Sequence, residues 1–234
     1  MKNKMGEAVV REREFHKFTH EIKNPLAICN GYLEIMMREN DLTKEKYLPI
    51  IHKEVERSLN IINEYSQNKF STLEIEEFDL TYLLEEVVKT LNSLFLKNNS
   101  KILFSEKKEY YMKGDYNKLK QVFLNLLKNS YEAKNSESLL VVIQILPYHN
   151  YYQVAITDNG IGMTRQELQR LGEEYYTTKE YGTGLGISYC KEIILQHGGN
   201  LFYQAKKFLG TKVILTLPKE KSPKTFSNNN YWNN

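Results

Sequence analysis

Residues 15–36 read FHKFTHEIKNPLAICNGYLEIM, and the apolar positions of this stretch recur at alternating spacings of three and four residues. These positions are Phe15, Phe18, Ile22, Pro25, Cys29, Tyr32 and Met36. Such a heptad pattern predicts a long helix that packs on other helices.

A second helix of the same kind follows the polar break at residues 39–41. Its apolar stripe is formed by Leu48, Ile51, Val55, Ser58, Ile62 and Tyr65, and it ends near Phe70. Two such helices on their own would leave an apolar stripe in water. We therefore expect an all-α hairpin that pairs with a second copy of the chain, as a homodimer, into a four-helix bundle.

The remainder of the chain predicts an α/β domain. The predicted helices cover about Leu80–Lys97 with Asp79 as N-cap, Asp115 to about Lys134, and Gly184–His197. The predicted strands are Lys101–Ser105, Leu139–Leu146, Tyr151–Thr157, Leu201–Ala205 and Thr211–Leu217. The Gly-rich and Thr-rich segment 159–183 is predicted to be a lid. We expect domains at residues 1–72 and 73–218, and a polar, disordered tail at 219–234.

Composition narrows the class of protein. Hydrophobic residues make up 41% and charged residues 26%, which is typical of a globular chain. The longest apolar run, 139–146, is too short to cross a bilayer, so we expect a cytoplasmic chain or the inner half of a membrane sensor. The net charge of +3 gives no footprint for nucleic acid. Cys29 and Cys190 are too far apart in sequence to indicate a zinc site.

His20 is a candidate for chemistry because the heptad places it at an outward position. A neutral imidazole has a nitrogen lone pair that can attack a phosphoryl group. Asn24 lies one turn further along the same helix face, whereas Glu21 points about 100° away from His20. On these residues alone, a solvated helix face is the competing interpretation.

Four ordered motifs resemble those of sensor histidine kinases, and they extend from about Phe15 to Leu217. The segment HEIKNPL at 20–26 resembles the H box of that family. Asp115 together with LKQVFLNLLKNSYEA at 119–133 resembles its N box. The segments DNGIGM at 158–163 and GTGLGI at 182–187 resemble the family's first and second glycine boxes. YYTTK at 175–179 is similar to the F box, although Glu174 replaces its usual proline. The stretch 175–188 looks most like sporulation-type kinases.

The resemblance implies both a fold and an activity. The implied fold is a dimerisation and histidine phosphotransfer hairpin followed by a two-layer α/β sandwich of the GHKL or Bergerat type. The implied activity is that of a protein histidine kinase, which uses ATP to phosphorylate His20 and then transfers the phosphoryl group to an aspartate of a response regulator. By the same resemblance, Glu21 polarises the imidazole and Asn24 positions water for dephosphorylation. A proteinaceous kinase regulator is a further expected partner.

The nucleotide site is expected in the second domain. Asn125 and Asn129 share one helix face, which suits two amide oxygens directed at Mg²⁺, and the resemblance makes Asn129 the metal ligand. The resemblance also makes Asp158 the reader of adenine. The remaining candidates contact ATP through backbone or charge: Lys128, Gly160, Gly162, Lys179, Gly182, Thr183, Gly184, Leu185 and Gly186. Tyr131 or Lys134 is placed at the border of the site.

Two other functions stay open at this point. One is an ATPase of the gyrase and chaperone superfamily, in which a glutamate at the position of Asn125 activates water. The other is a phosphotransfer scaffold with a degenerate nucleotide site. Hydrolysis that does not depend on His20 would favour the first, and failure to bind ATP would favour the second.

Overall fold

The computed structural model describes residues 2–38, 44–69, 72–135, 138–173, 176–179, 184 and 186–220. The chain divides into two compact units, one of residues 1–71 with 177–183, and one of residues 72–176 with 184–234. The predicted order, helices first and an α/β part second, is confirmed. Within these described ranges, no helix has both the length and the apolar character needed to span a bilayer.

The first unit contains two long helices, α1 (Lys2–Arg38) and α2 (Lys44–Lys69). Pro25 and Cys29 of α1 are buried, as are Ser58 and Ile61 of α2. The Cys29 thiol lies 3.6 Å from the carbonyl oxygen of Ile51 and donates to it across the hairpin. At Cys29 the predicted α1 seam therefore faces α2, and the side chain of Phe15 lies outside the described residues.

The predicted seam of α2 is only partly buried within the single chain. Leu48, Val55 and Ile62 are exposed, whereas Ser58 of the same stripe is buried, as are Glu54 and Ile61. The exposed members are the ones that the expected second copy of the chain would cover. Further exposed apolar side chains in this unit are Leu26, Leu33, Met37 and Leu59.

The second unit is a two-layer α/β structure. Its elements are β1 (Glu76–Asp79), α3 (Leu80–Lys97), β2 (Lys101–Leu103), β3 (Tyr111–Gly114), α4 (Tyr116–Glu132), β4 (Leu140–Pro147), β5 (Tyr151–Asp158), α5 (Arg165–Arg170), α6 (Gly186–Gln196), β6 (Asn200–Lys206) and β7 (Gly210–Pro218). The main sheet has the order β2-β4-β5-β7-β6, with β2 parallel to β4 and the other pairs antiparallel.

One face of this sheet forms the core with the three long helices of the unit. On β5, Tyr152, Val154 and Ile156 are buried, which is the alternation expected of a half-covered strand. The helices contribute fully buried residues such as Leu84, Phe95, Phe123 and Ile194. Three candidate site residues lie at the edges of this packing. Asp158 ends β5, Asn129 lies near the end of α4, and Gly186 begins α6.

The small antiparallel sheet of β1 and β3 was not predicted. Each strand has only four residues, which is too short for a clear alternation of apolar residues. The Asp79 carboxylate accepts from the backbone N–H groups of Thr81 and Tyr110, both at 2.9 Å, so the predicted N-cap of α3 also holds this sheet in place.

The end of β7 is bonded to the rest of the unit through Lys219. Its N–H donates to the carbonyl oxygen of Asn150 at 3.0 Å, and its own carbonyl oxygen accepts from the N–H of Lys113 at 2.9 Å. Residues 221–234 of the predicted tail lie outside the described residues.

Replacement of Gly162 by alanine is expected to destabilise the second unit by at least about 2 kcal/mol. Gly162 has φ +59°, and an added Cβ would lie 2.0 Å from the carbonyl oxygen of Lys206. The matched control is Gly186→Ala, where a Cβ meets no atom within 4 Å. Urea unfolding of both variants measures the difference, and equal midpoints would contradict this account of the loop.

Candidate functional site

Helix α4 separates a core face from a polar face. Asp115 caps its start, because one carboxylate oxygen accepts from the N–H of Lys118 at 3.0 Å. The core face is formed by Leu119, Val122, Phe123, Leu126 and Leu127. Asn125, Lys128 and Asn129 lie outside that buried stripe and form the polar face of the helix.

Asn125 and Asn129 are both half-buried and lie one turn apart on α4. The side-chain oxygen of Asn125 accepts from the Gln121 amide at 3.1 Å, which orients it. Lys128 is exposed. Two neutral amide oxygens on one face suit a hard divalent cation with water completing its coordination.

Asp158 ends β5 with a carboxylate that is almost completely buried, at 5% exposure. One oxygen accepts from the N–H groups of Gly160 at 3.0 Å and Thr211 at 3.1 Å. The other oxygen accepts from the Ser130 hydroxyl at 3.0 Å. Burial raises the pKa of Asp158 above its ordinary value, although these three hydrogen bonds act in the opposite direction.

The Asp158 carboxylate has acceptor capacity beyond its bonds to the described residues. An ionised carboxylate has about four acceptor positions, and the described part of the chain uses three of them. The oxygen that faces Ser130 has capacity for one more donor. An exocyclic amine such as that of adenine is a donor of the right kind.

The first glycine motif lies between the end of α4 and the turn before β7. The N–H of Ile161 donates to the carbonyl oxygen of Ala133 at 2.8 Å, and the carbonyl oxygen of Ile161 accepts from the N–H of Phe208 at 2.7 Å. A Cβ on Gly160 would lie 2.6 Å from the carbonyl oxygen of Ala133. Only glycine allows this close backbone approach.

The second glycine motif leads into α6. Gly184 has φ +71°, and Gly186 begins the helix in open surroundings. The first N–H groups of a helix have no partner within it and carry partial positive charge, so they suit phosphate oxygens. Gly182, Thr183 and Leu185 of this motif lie outside the described residues.

The predicted lid, residues 159–183, contains α5, and residues 180–183 of it lie outside the described residues. Thr164 and Glu167 form a capping box at its start, and the Arg170 guanidinium lies 4.0 Å from the centre of the Tyr176 ring. Lys179 is exposed. Glu174 and Tyr175 of the predicted F box lie outside the described residues.

Tyr131 and Lys134 contact the end of α3. The Tyr131 ring lies 5.2 Å from that of Phe95, and the Lys134 ammonium donates to the carbonyl oxygen of Asn98. These contacts engage both side chains in packing α4 on α3.

In the first unit, His20 is exposed on α1, as its outward heptad position predicts. Asn24 is exposed one turn further on, and Glu21 is half-buried. The polar face of α1 therefore presents an imidazole and an amide together.

Three contributors to the second unit's site were missed in the sequence. Ser130 and Thr211 hold Asp158, and His197 links α6 to α4. Ser130 directly follows Asn129 in the N box, and this adjacency was the only available signal for it. Nothing local in the sequence indicates the partners of Thr211 or His197.

Two family models match the chain. Residues 10–67 match the His Kinase A (phospho-acceptor) domain, and residues 114–221 match the Histidine kinase-, DNA gyrase B-, and HSP90-like ATPase. Together they account for more than two thirds of the sequence. The chain belongs to the histidine kinase family. The motif resemblance and the predicted fold class are thereby confirmed.

Curated relatives of this histidine kinase include Sensor protein DegM of Bacillus sp. (strain B21-2), which is 33% identical over 93% of this chain and 59% of its own length. Sporulation kinase B of Bacillus subtilis (strain 168) is 32% identical over 86% of this chain and 48% of its own length. The chain thus spans about half to three fifths of these relatives.

Solved structures agree with this family. Histidine kinase ThkA in complex with response regulator protein TrrA has a TM-score of 0.77 and 25% identity, over 94% of this chain and 65% of that one. The catalytic domain of ThkA has a TM-score of 0.58 and 27% identity, over 63% of this chain and 97% of that one.

Asp158→Asn is expected to lower nucleotide affinity by about a hundredfold. The N–H₂ of asparagine would face the exocyclic amine of adenine, so two donors would meet where the carboxylate accepts a hydrogen bond. The fold should persist, since the asparagine oxygen can still accept from Gly160 and Thr211 while its N–H₂ donates to the Ser130 hydroxyl. Titration calorimetry with ATP measures the affinity. Unchanged affinity would contradict the role of Asp158.

The same variant tests the raised pKa. A carboxyl whose pKa is raised by folding lowers stability as pH rises from its ordinary pKa through the raised value. Removing the charge removes that penalty. The free energy of unfolding of Asp158→Asn at pH 7 should equal or exceed that of the wild type.

Proposed function

We propose that the chain is an ATP-dependent protein histidine kinase that phosphorylates its own His20 and passes the phosphoryl group to an aspartate of a response regulator. The observation that carries this proposal is the pairing of two features in one chain. An exposed His20 lies within the match to the phospho-acceptor domain, and a nearly buried Asp158 with spare acceptor capacity lies within the match to the ATPase domain. We assign residues 1–72 to phosphotransfer and dimerisation, and 73–218 to catalysis.

The nucleotide is held at both ends in this proposal. Asp158 accepts from the amine of adenine, with Gly160 and Gly162 keeping the backbone close to the ring. The phosphates lie at the start of α6, beside the motif Gly182, Thr183, Gly184, Leu185 and Gly186. The cations Lys128 and Lys179, both exposed, neutralise phosphate charge.

The use of ATP as phosphoryl donor supports a location of this chain on the cytoplasmic side of the cell membrane.

The residues of α4 fit a magnesium ion. Asn129, with Asn125 directly or through water, would hold it, because amide oxygens are hard ligands. When bound, Mg²⁺ neutralises charge on the phosphates. The chain's own contribution is to fix these amides on one face of a helix whose far side is buried.

The chemical step is an in-line transfer. A ring nitrogen of His20 forms a bond to the γ-phosphorus while the bond from that phosphorus to the β-phosphate oxygen breaks, and ADP leaves. Glu21 polarises the ring and favours loss of its N–H proton. The phosphoryl group then moves from nitrogen to a carboxylate oxygen of the regulator. Asn24 positions water when the regulator is dephosphorylated.

Asn125 argues against the superfamily's ATPase reaction in this chain. An amide side chain takes up no proton at neutral pH, so it cannot act as the base that activates water. One of the similar solved structures is that of histidine kinase ThkA in complex with response regulator protein TrrA. This complex supports a response regulator as the phosphoryl acceptor of the present chain.

His20→Gln is expected to reduce acid-labile labelling from γ-labelled ATP by at least about a hundredfold, because glutamine has no nucleophilic ring nitrogen. The matched control is His52→Gln, which removes another exposed imidazole of the same hairpin. His52→Gln should label like the wild type. Persistent labelling of His20→Gln would refute the assignment, provided that both variants bind ATP equally.

A homodimer forms through the exposed apolar face of the hairpin in this proposal. Leu26 and Leu33 of α1, with Leu48, Val55 and Leu59 of α2, expose between 40% and 53% of their surface in the single chain. Exposed apolar side chains that recur along both helices are typical of a contact surface.

Leu59→Glu is expected to weaken the dimer by at least about tenfold, because it places a charge in an apolar contact. Lys53→Glu is the control, since it adds the same side chain at an exposed polar position of α2. Sedimentation velocity over a concentration series measures the association. Equal dimer fractions for both variants would remove this face from the interface.

A further inference from the structure

The imidazole of His197 is buried just beyond the end of α6, at 5% exposure. Its Nε2 lies 2.9 Å from the backbone nitrogen of Asp115, and its Nδ1 lies 2.7 Å from the carbonyl oxygen of Ile193. A carbonyl oxygen only accepts, and the N–H of Asp115 only donates. The ring is therefore neutral, with its proton on Nδ1 and the lone pair of Nε2 directed at α4.

Asp115 is a junction within the second unit. Its carboxylate accepts from the N–H of Lys118, which caps α4, and from the N–H of Glu74 at 3.0 Å. Its own N–H donates to His197. One residue thus connects the start of α4 to the segment before β1 and to the end of α6.

The ring of His197 is also fixed by packing. A Cβ on Gly114 would lie 3.1 Å from its Cδ2 and 3.3 Å from its Nε2, so the imidazole rests directly on that glycine. A second contact between the same helices joins the Cys190 thiol to the carbonyl oxygen of Val122 at 3.7 Å. A shift of α6 along α4 would break the bond from Asp115 to His197.

The two helices carry different parts of the proposed nucleotide site. Asn125 and Asn129 lie on α4, whereas α6 begins at Gly186, directly after the phosphate motif. The far end of α4 is held separately, because Ser130 donates to Asp158. Among the described residues, the Asp158 carboxylate bonds to Ser130, Gly160 and Thr211 and not to His197, so the adenine end and the α4–α6 contact are held by different bonds.

We propose that His197 is a positioning residue, which rests on the proposed function. Its Nε2 holds α6 in register with α4, so that metal ligands on one helix and the phosphate-binding start of the other match a single metal-bound nucleotide. Loss of this acceptor leaves adenine recognition intact and reduces the additional affinity that Mg²⁺ provides.

The test compares His197→Leu, which removes the acceptor, with His197→Gln, whose amide oxygen can accept from Asp115. Affinity of the full chain for a fluorescent ATP analogue is measured in EDTA and in Mg²⁺. The magnesium-dependent gain is the ratio of the affinity in Mg²⁺ to the affinity in EDTA. We expect this ratio to be about tenfold smaller for His197→Leu than for the wild type, while the affinity in EDTA stays within about twofold of wild type. His197→Gln should keep most of the gain.

A control removes another buried hydrogen bond without touching α4 or α6. Thr81 is buried, and its hydroxyl donates to the carbonyl oxygen of Lys108 at 2.6 Å. Thr81→Val should lower the melting temperature and leave the magnesium-dependent gain unchanged. If His197→Leu does not fold, His197→Asn replaces it, because its amide is one methylene shorter than that of glutamine.

Three results would overturn the inference. The acceptor-deficient variant could keep the full gain, it could lose affinity equally in EDTA and Mg²⁺, or His197→Gln could be as impaired as His197→Leu. A wild-type chain that binds the analogue in neither condition would instead overturn the proposed function, and this inference with it.

Discussion

The site of the second unit is arranged around one buried carboxylate, that of Asp158. A buried charge is stable only when hydrogen bonds replace the water that it loses. Ser130, Gly160 and Thr211 provide these bonds from α4, the glycine loop and β7. Three separate segments must therefore converge on the end of β5. Gly160 and Gly162 of the adjoining loop meet a separate constraint, because a Cβ would lie 2.6 Å from the carbonyl oxygen of Ala133 and 2.0 Å from that of Lys206.

The hairpin depends on a different constraint, since two helices cannot bury two apolar faces between them. Cys29 and Ile61 are buried inside the hairpin, whereas Leu26, Leu59 and Ile62 remain exposed. A second copy of the chain is the partner that the proposed function assigns to this face. His20 is exposed on α1, so in the proposed function phosphoryl transfer and dimerisation use different surfaces of the same helix.

Local signals predicted most of the helices and long strands, and long-range contacts account for what was missed. Asp79 and Asp115 were recognised as helix starts because a cap acts within four residues. The exposure of Val55 and Ile62 in the single chain was not predicted, because a three-and-four spacing marks apolar positions without showing whether the same chain or a second copy covers them. His197 joins a residue 82 positions away, and no pattern of neighbouring residues reports such a partner.

The central claim is that the imidazole of His20 receives the γ-phosphoryl group of a nucleotide held by Asp158. The most direct measurement is tandem mass spectrometry, under neutral to alkaline conditions, of the wild-type chain after incubation with ATP and Mg²⁺. The account predicts the added mass of one phosphoryl group on His20, and much less of this product from Asp158→Asn at an ATP concentration that does not saturate the variant. A phosphoryl group on another residue, or an unmodified His20 in a chain that binds ATP, would contradict it.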